Sequence, residues 1–263
     1  MTIVYYIILF ILGACFGSFL CCQARRLHHN VTPYTQKITA KRSVCLHCHY
    51  QLKWYDNIPI LSWLALKGKC RKCHKSIGLT ELLAELGVAL AFVALGTTFN
   101  PTTADVLSWG IFLVILVFAI IICFLAIYDG LYGELPMLHL IIAIIIATII
   151  LIMQTVLYLQ SNPFTLDLIW CPLTSVAILG GLYLALYLVS KGKWVGDGDW
   201  LLATAIAIVL ADPWSALLAL LYANLIACIV MLPTVYKTKS HKIYFGPFLA
   251  IAFILAKCVI ISL

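Results

Sequence analysis

Long apolar runs alternate with short polar breaks along this chain, and the runs have the length of membrane spans. A bilayer core about 30 Å thick needs about 20 apolar residues in a helix. Residues 3–22, 82–99, 106–128, 137–159, 169–190, 213–233 and 243–262 meet that requirement. The stretch 200–211 is apolar but only twelve residues long, roughly 18 Å at the helical rise. It reads as a short span inside a bundle, a re-entrant segment, or half of a helix broken near Asp212-Pro213. Counting it as a span makes the charge pattern consistent. The predicted fold is then all-α, a polytopic membrane helix bundle of about eight spans. Its predicted organisation is a first span (1–22), a polar insert (23–80) and a membrane domain carrying the chemistry (81–263).

Composition narrows the class. Of 263 residues, 64% are hydrophobic and 10% charged, which excludes an ordinary soluble globule, a disordered chain and a small disulfide-stapled module. Orientation follows from Lys and Arg. Eleven of the seventeen lie in the insert: Arg25, Arg26, Lys37, Lys41, Arg42, Lys53, Lys67, Lys69, Arg71, Lys72 and Lys75. The positive-inside rule makes the insert cytoplasmic. In an eight-span chain with both termini outside, Lys191, Lys193, Lys237, Lys239 and Lys242 fall on the same side. Lys257 is the exception, near enough to its helix end to snorkel. The first apolar run has its positive charges behind it, the reverse of a signal peptide, so it reads as a retained helix. The net charge of +7 reflects topology and attraction to anionic membrane lipid, and is no argument for nucleic acid.

The insert carries Cys45-Leu46-His47-Cys48 and Cys70-Arg71-Lys72-Cys73, two C-x2-C knuckles with twenty-one residues between them. Four thiolates in this pattern suit a tetrahedral structural zinc, in a small zinc-ribbon-like insert. About fifty residues with few aliphatics bury little core, so metal binding would supply folding energy. A C-x-x-C redox pair is the alternative. His47, His49 and His74 are alternative ligands, more simply read as solvated neighbours. Cys15, Cys21, Cys22, Cys123, Cys171, Cys228 and Cys258 read as small buried hydrophobes in or beside spans.

Ten carboxylates remain, and each is costly near a bilayer, by roughly 2.5–3.5 kcal/mol at a helix centre. Asp105, Asp167 and Asp212 sit at predicted helix starts, favourable places for an acid. Asp56 falls in a soluble loop. Glu81 and Glu85 open the second span on one helix face, as dipole partners or as something more specific. Asp129 ends one span and Asp199 begins another on the same membrane face, seventy residues apart. Glu134 and Pro136 follow Asp129, and Gly196-Asp197-Gly198 precedes Asp199. Two carboxylates brought together cannot both ionise easily, so one holds a proton while the other accepts one. That pair would activate water against a peptide carbonyl. The plainer alternative is two solvated loop acids.

In these residues the chain resembles the prepilin peptidases, or type IV leader peptidases, which are membrane aspartic proteases. Gly17-Ser18-Phe19-Leu20 with Arg26-Leu27 is similar to the family's opening motif. The Cys pairs, with Asn57-Ile58-Pro59, Leu61-Ser62-Trp63 and Gly68-Lys69-Cys70, resemble its cytoplasmic insert, and Glu81-Leu82-Leu83 the start of its second helix. Asp129 with Pro136 resembles the first catalytic motif. Gly196-Asp197-Gly198-Asp199 fits the G-x-G-D signature, and Phe245-Gly246-Pro247-Phe248 its last block. The resemblance implies catalytic Asp129 and Asp199, with Gly196, Asp197, Gly198 and Pro136 as motif neighbours and Asp197 as the rival to Asp199. It implies a multi-pass protein of the bacterial inner membrane. That protein would cut basic leaders from prepilins or pseudopilins at the cytoplasmic face. Two positions depart from the pattern: Trp200-Leu201 where a Lys commonly follows, and Cys21 where an Asn usually stands. Many members also N-methylate the new terminus with S-adenosylmethionine. No binding fingerprint for that cofactor stands in the chain, and the insert is the place to seek it. Two other functions compete: an ion-coupled transporter, which would place acids in mid-span, and a non-catalytic zinc-bearing scaffold.

Overall fold

The computed structural model describes residues 2–31, 43–45, 47–48, 50–99, 105–192, 195–238 and 244–259. Lys37, Lys41, Arg42, His49, Lys193, Lys239 and Lys242 lie outside the described residues, as does the side chain of Lys237. The helices are α1 (Thr2–Val31), α2 (Leu61–Ala65), α3 (Thr80–Thr97), α4 (Val106–Tyr132), α5 (Met137–Ser161), α6 (Asp167–Val176), α7 (Leu182–Ser190), α8 (Asp197–Leu210), α9 (Pro213–Thr238) and α10 (Gly246–Val259). A 3-10 turn, Trp54–Asn57, precedes α2, and a π segment, Ala177–Gly181, joins α6 to α7 in one continuous run. Among the described residues there is no strand, only isolated bridges. The hydropathy pattern predicts eight spans, and a described helix lies at each of those positions. Six are long and apolar enough to cross a membrane, whereas α8 and α10 have fourteen residues each.

Two compact units result, Met1–Gly96 and Thr97–Leu263. In the first, α1 continues past its apolar run to Val31 and lies close against α3. A side chain on Gly13 or Gly17 would meet backbone of Ala89 or Glu85 at 2.7 or 2.6 Å. Small residues at i and i+4 thus bring two apolar helices into van der Waals contact, the usual solution where lipid removes the hydrophobic drive. Phe16 stacks obliquely on Phe92 beside this seam. At its polar end Arg25 pairs with Glu81, and Glu85 accepts the Ile60 N–H at 2.6 Å. Ile60 has a left-handed backbone, φ 62°, unfavourable for a β-branched residue, so that bond holds a strained turn in place. Glu81 and Glu85, left open by sequence, are therefore ties between segments.

In the second unit α8 is the central helix. Leu202, Ala203, Ala205, Ile206, Ala207 and Val209 are all fully buried. It packs on α5, α6, the π segment and α10, as expected of a helix apolar all round. The stretch 200–211 therefore lies in a short helix packed inside this unit. Ser175 of α6 donates to the Ala207 carbonyl at 2.8 Å. α4 packs on α5 and α10, with Phe118 edge-on to Phe253 and Phe124 stacked on His139. The two helices α5 and α10 thereby bridge α4 to α8. Asp105 caps α4 by accepting from Ser108 N at 2.9 Å, and Asp212 caps α9 through Ser215 N at 2.8 Å. Asp167 stands in the first turn of α6. These three acids occupy the helix starts that the pattern assigned them.

Candidate active site and metal centre

Asp129 lies in the last turn of α4, which Gly133 terminates in a left-handed conformation. Asp199 lies in the first turn of α8. Both are buried, at 5% and 9% exposure, whereas Glu134 and Asp197 are exposed. Asp197 instead bonds Tyr187 of α7. Pro136 stands before the first turn of α5. The two motifs meet at Gly198, where an added Cβ would lie 2.5 Å from Leu135. The missing side chain of Gly198 thus lets the Asp199 turn lie against Leu135, in the segment that follows Asp129. The two carboxylates are near enough to act on one another electrostatically.

Each aspartate has one oxygen held by a glycine N–H. Gly196 donates to Asp199 Oδ2 at 3.0 Å, and Gly246 donates to Asp129 Oδ2 at 2.8 Å. Among the described residues neither carboxylate has a cationic partner. Such a pair, buried and uncompensated, is suited to holding a shared proton and polarising a water. The Gly246 contact was visible in the sequence only as part of a motif block. The signal pointing to it is a glycine before a helix-starting proline.

In the first unit, Cys45, Cys48, Cys70 and Cys73 bring four Sγ atoms within 4.8 Å of one another. Cys45 pairs with Cys73 and Cys48 with Cys70, each at 3.9 Å. Tetrahedral zinc with bonds of about 2.3 Å would space its sulfurs about 3.8 Å apart, so the cluster fits the ion. Both knuckles are built alike: Cys45 N donates to Tyr50 O and Cys70 N to Lys75 O, each at 2.9 Å. Backbone N–H groups, of Cys73 first and then Lys72, lower the pKa of the Cys70 thiol, while burial and the neighbouring thiols raise that of Cys48. His47 and His74 are exposed and outside the cluster. Asp56, read from sequence as a solvated loop acid, is instead 9% exposed. It accepts from Arg71 at 2.8 Å and from Lys53 N at 3.1 Å, clamping the 3-10 turn to the second knuckle. Of the seven other cysteines, Cys21 and Cys123 are buried as expected, whereas Cys15 and Cys228 are exposed.

A helical bundle with several membrane-length spans, a four-thiol cluster and two buried acids at facing helix ends defines a polytopic membrane protein with a carboxylate site. Residues 11–99 match the bacterial peptidase A24 N-terminal domain. A prepilin leader peptidase/N-methyltransferase of Aeromonas hydrophila is 30% identical over 226 residues, covering 84% of this chain and 71% of the relative. One of the same description from Stutzerimonas stutzeri is 29% identical over 223 residues, 80% and 69% of the two chains. One from Myxococcus xanthus is 44% identical over 88 residues, 34% of this chain and a quarter (25%) of that relative's length. No solved structure matches the chain. The chain belongs to the prepilin leader peptidase/N-methyltransferase family.

Proposed function

We propose that this protein is an aspartic endopeptidase of the bacterial inner membrane that removes basic leader peptides from prepilins or pseudopilins at the cytoplasmic face. The observation that carries this reading is the pair of buried aspartates, each held by a glycine N–H and neither paired with a cation among the described residues. In the reaction, the ionised carboxylate takes a proton from water as the oxygen attacks the scissile carbonyl carbon. The protonated carboxyl gives its proton to the carbonyl oxygen. Collapse of the tetrahedral species breaks the C–N bond, and the departing amine leaves with a proton relayed through the pair. Asp199 is favoured over Asp197 by burial. The basic residues around the insert support a cytoplasmic placement. The exposed Ile3, Ile7 and Ile11 of α1, and Ile141, Ile145 and Ile149 of α5, are suited to contact with lipid.

Cys45, Cys48, Cys70 and Cys73 would hold a structural zinc, which supplies folding energy to the insert. The relatives' name also supports a second activity, N-methylation of the new terminus, with S-adenosylmethionine as methyl donor. Its proposed place is the cavity of about 210 Å³ in the first unit, lined by Ser18, Arg25, Asn57, Trp63, Glu81 and others. Glu81 Oε2 is buried there with no partner among the described residues, and an acceptor of that kind suits a sulfonium or ammonium cation.

The test is co-expression with a prepilin and electrophoresis of the product. Asp129→Asn and Asp199→Asn should each leave the leader attached. Normal processing by both variants would show the assignment to be wrong.

A further inference from the structure

The geometry points to Gly246 as the positioning residue for Asp129: its N–H and its lack of a side chain fix which oxygen of that aspartate is free to work. This rests on the reading of Asp129 and Asp199 as the reacting pair. Gly246 opens α10, 117 residues beyond Asp129, and is itself buried. Its N–H holds Asp129 Oδ2 at 2.8 Å, as the Gly196 N–H holds Asp199 Oδ2 at 3.0 Å. A donor on one carboxylate oxygen makes that atom the charged acceptor and leaves the other to carry or receive the proton. Each aspartate therefore has a pinned Oδ2 and a working Oδ1.

The missing side chain matters as much as the N–H. A Cβ at position 246 would lie 2.9 Å from Asp129 Oδ2 and 3.1 Å from Asp129 Cβ, so any larger residue displaces the carboxylate. Its neighbours brace the turn. Pro247 faces Gly130, with its Cγ 3.6 Å from where a Cβ there would stand. Phe245 packs on Tyr183, their rings 5.4 Å apart, and the Tyr183 hydroxyl accepts from Asn224 at 3.2 Å. The sharing of labour is asymmetric. Asp199 is held from within its own turn, but Asp129 is held from the far end of the chain, so the packing of α10 decides whether the pair is assembled.

The test is steady-state cleavage of a prepilin by the purified full-length protein in detergent, with melting temperature followed in parallel. Gly246→Ala should lower kcat about 100-fold, the loss expected for a reacting group misplaced by about an ångström, with KM and melting temperature close to wild type. Pro247→Gly loosens the same turn without adding an atom against Asp129. It should cost about tenfold in kcat, the worth of one hydrogen bond, and keep the variant series informative should Gly246→Ala fail to accumulate. An unchanged kcat in the alanine variant, or in Pro247→Gly should the alanine variant not fold, overturns the positioning role. So does a loss shared equally by kcat, KM and melting temperature, which marks packing alone. Asp129→Asn run alongside separates the two levels: if it cleaves normally, the reading of Asp129 has failed and the role of Gly246 falls with it.

Discussion

In the first unit Glu81 meets Arg25 and Asp56 meets Arg71, while Glu85 is spent on the Ile60 N–H. In the second unit Asp129 and Asp199 are buried as Asp56 and Glu85 are, but each is held by a glycine N–H and, among the described residues, has no cationic partner. A carboxylate paired with a guanidinium serves as a tie between segments. A carboxylate buried without a cation keeps its protonation in play. The partners the fold supplies thus divide one residue type into acids that tie segments together and acids suited to the proposed chemistry.

The comparison breaks most visibly on the chemical side. Asp129→Asn or Asp199→Asn should cost about 10²–10⁴-fold in leader removal, the range of general acid–base catalysis, with no loss of folded protein. Asp56→Asn should loosen the insert while the rate per folded molecule stays near wild type. Equal losses of rate for acids of both units would erase the distinction.

The next effect is on the metal. Purified protein should contain about one zinc per chain, and Cys70→Ser or a strong chelator should release it and make the insert sensitive to protease. Acid should act the same way. Protons compete with the ion for the four thiolates, so zinc is held less tightly as pH falls. Zinc retained by Cys70→Ser would remove that thiol from the ligand set.

A smaller effect tests the ties. Arg25→Leu strands Glu81 and should lower stability by about 1–3 kcal/mol, seen as a lower melting temperature in detergent. Adding Glu81→Gln should recover most of it. Smallest of all is Asp197→Asn: this exposed acid should change the cleavage rate by less than about fivefold. A loss as large as that of Asp199→Asn would exchange their roles.

Much of this division was legible in the sequence, for reasons that differ by residue. Span positions follow from length and hydropathy, and the knuckles from spacing, because both are local properties. The helix-start acids Asp105, Asp167 and Asp212 were legible for the same reason. Asp129 and Asp199 were paired by topology, since the bilayer sets their depth. What sequence could not show was pairing through packing. Asp56 looked like a solvated loop acid because Arg71 reaches it only after the knuckle folds. Glu81 and Glu85 stayed ambiguous because Arg25 and Ile60 lie on other segments. The burial of α8 on every side was hidden too, since a short apolar run has no periodicity that separates a central helix from a re-entrant one. The contact of Gly246 with Asp129 exists only once α10 packs against α4.

The claim that Asp129 and Asp199 work as one unit is tested most directly by a double-variant cycle on leader removal with purified protein. Groups that act together lose their effect once, so Asp129→Asn/Asp199→Asn should be no slower than the worse single variant, within about threefold. Losses that multiply in the double variant, or a wild-type rate in either single one, would contradict a shared catalytic pair.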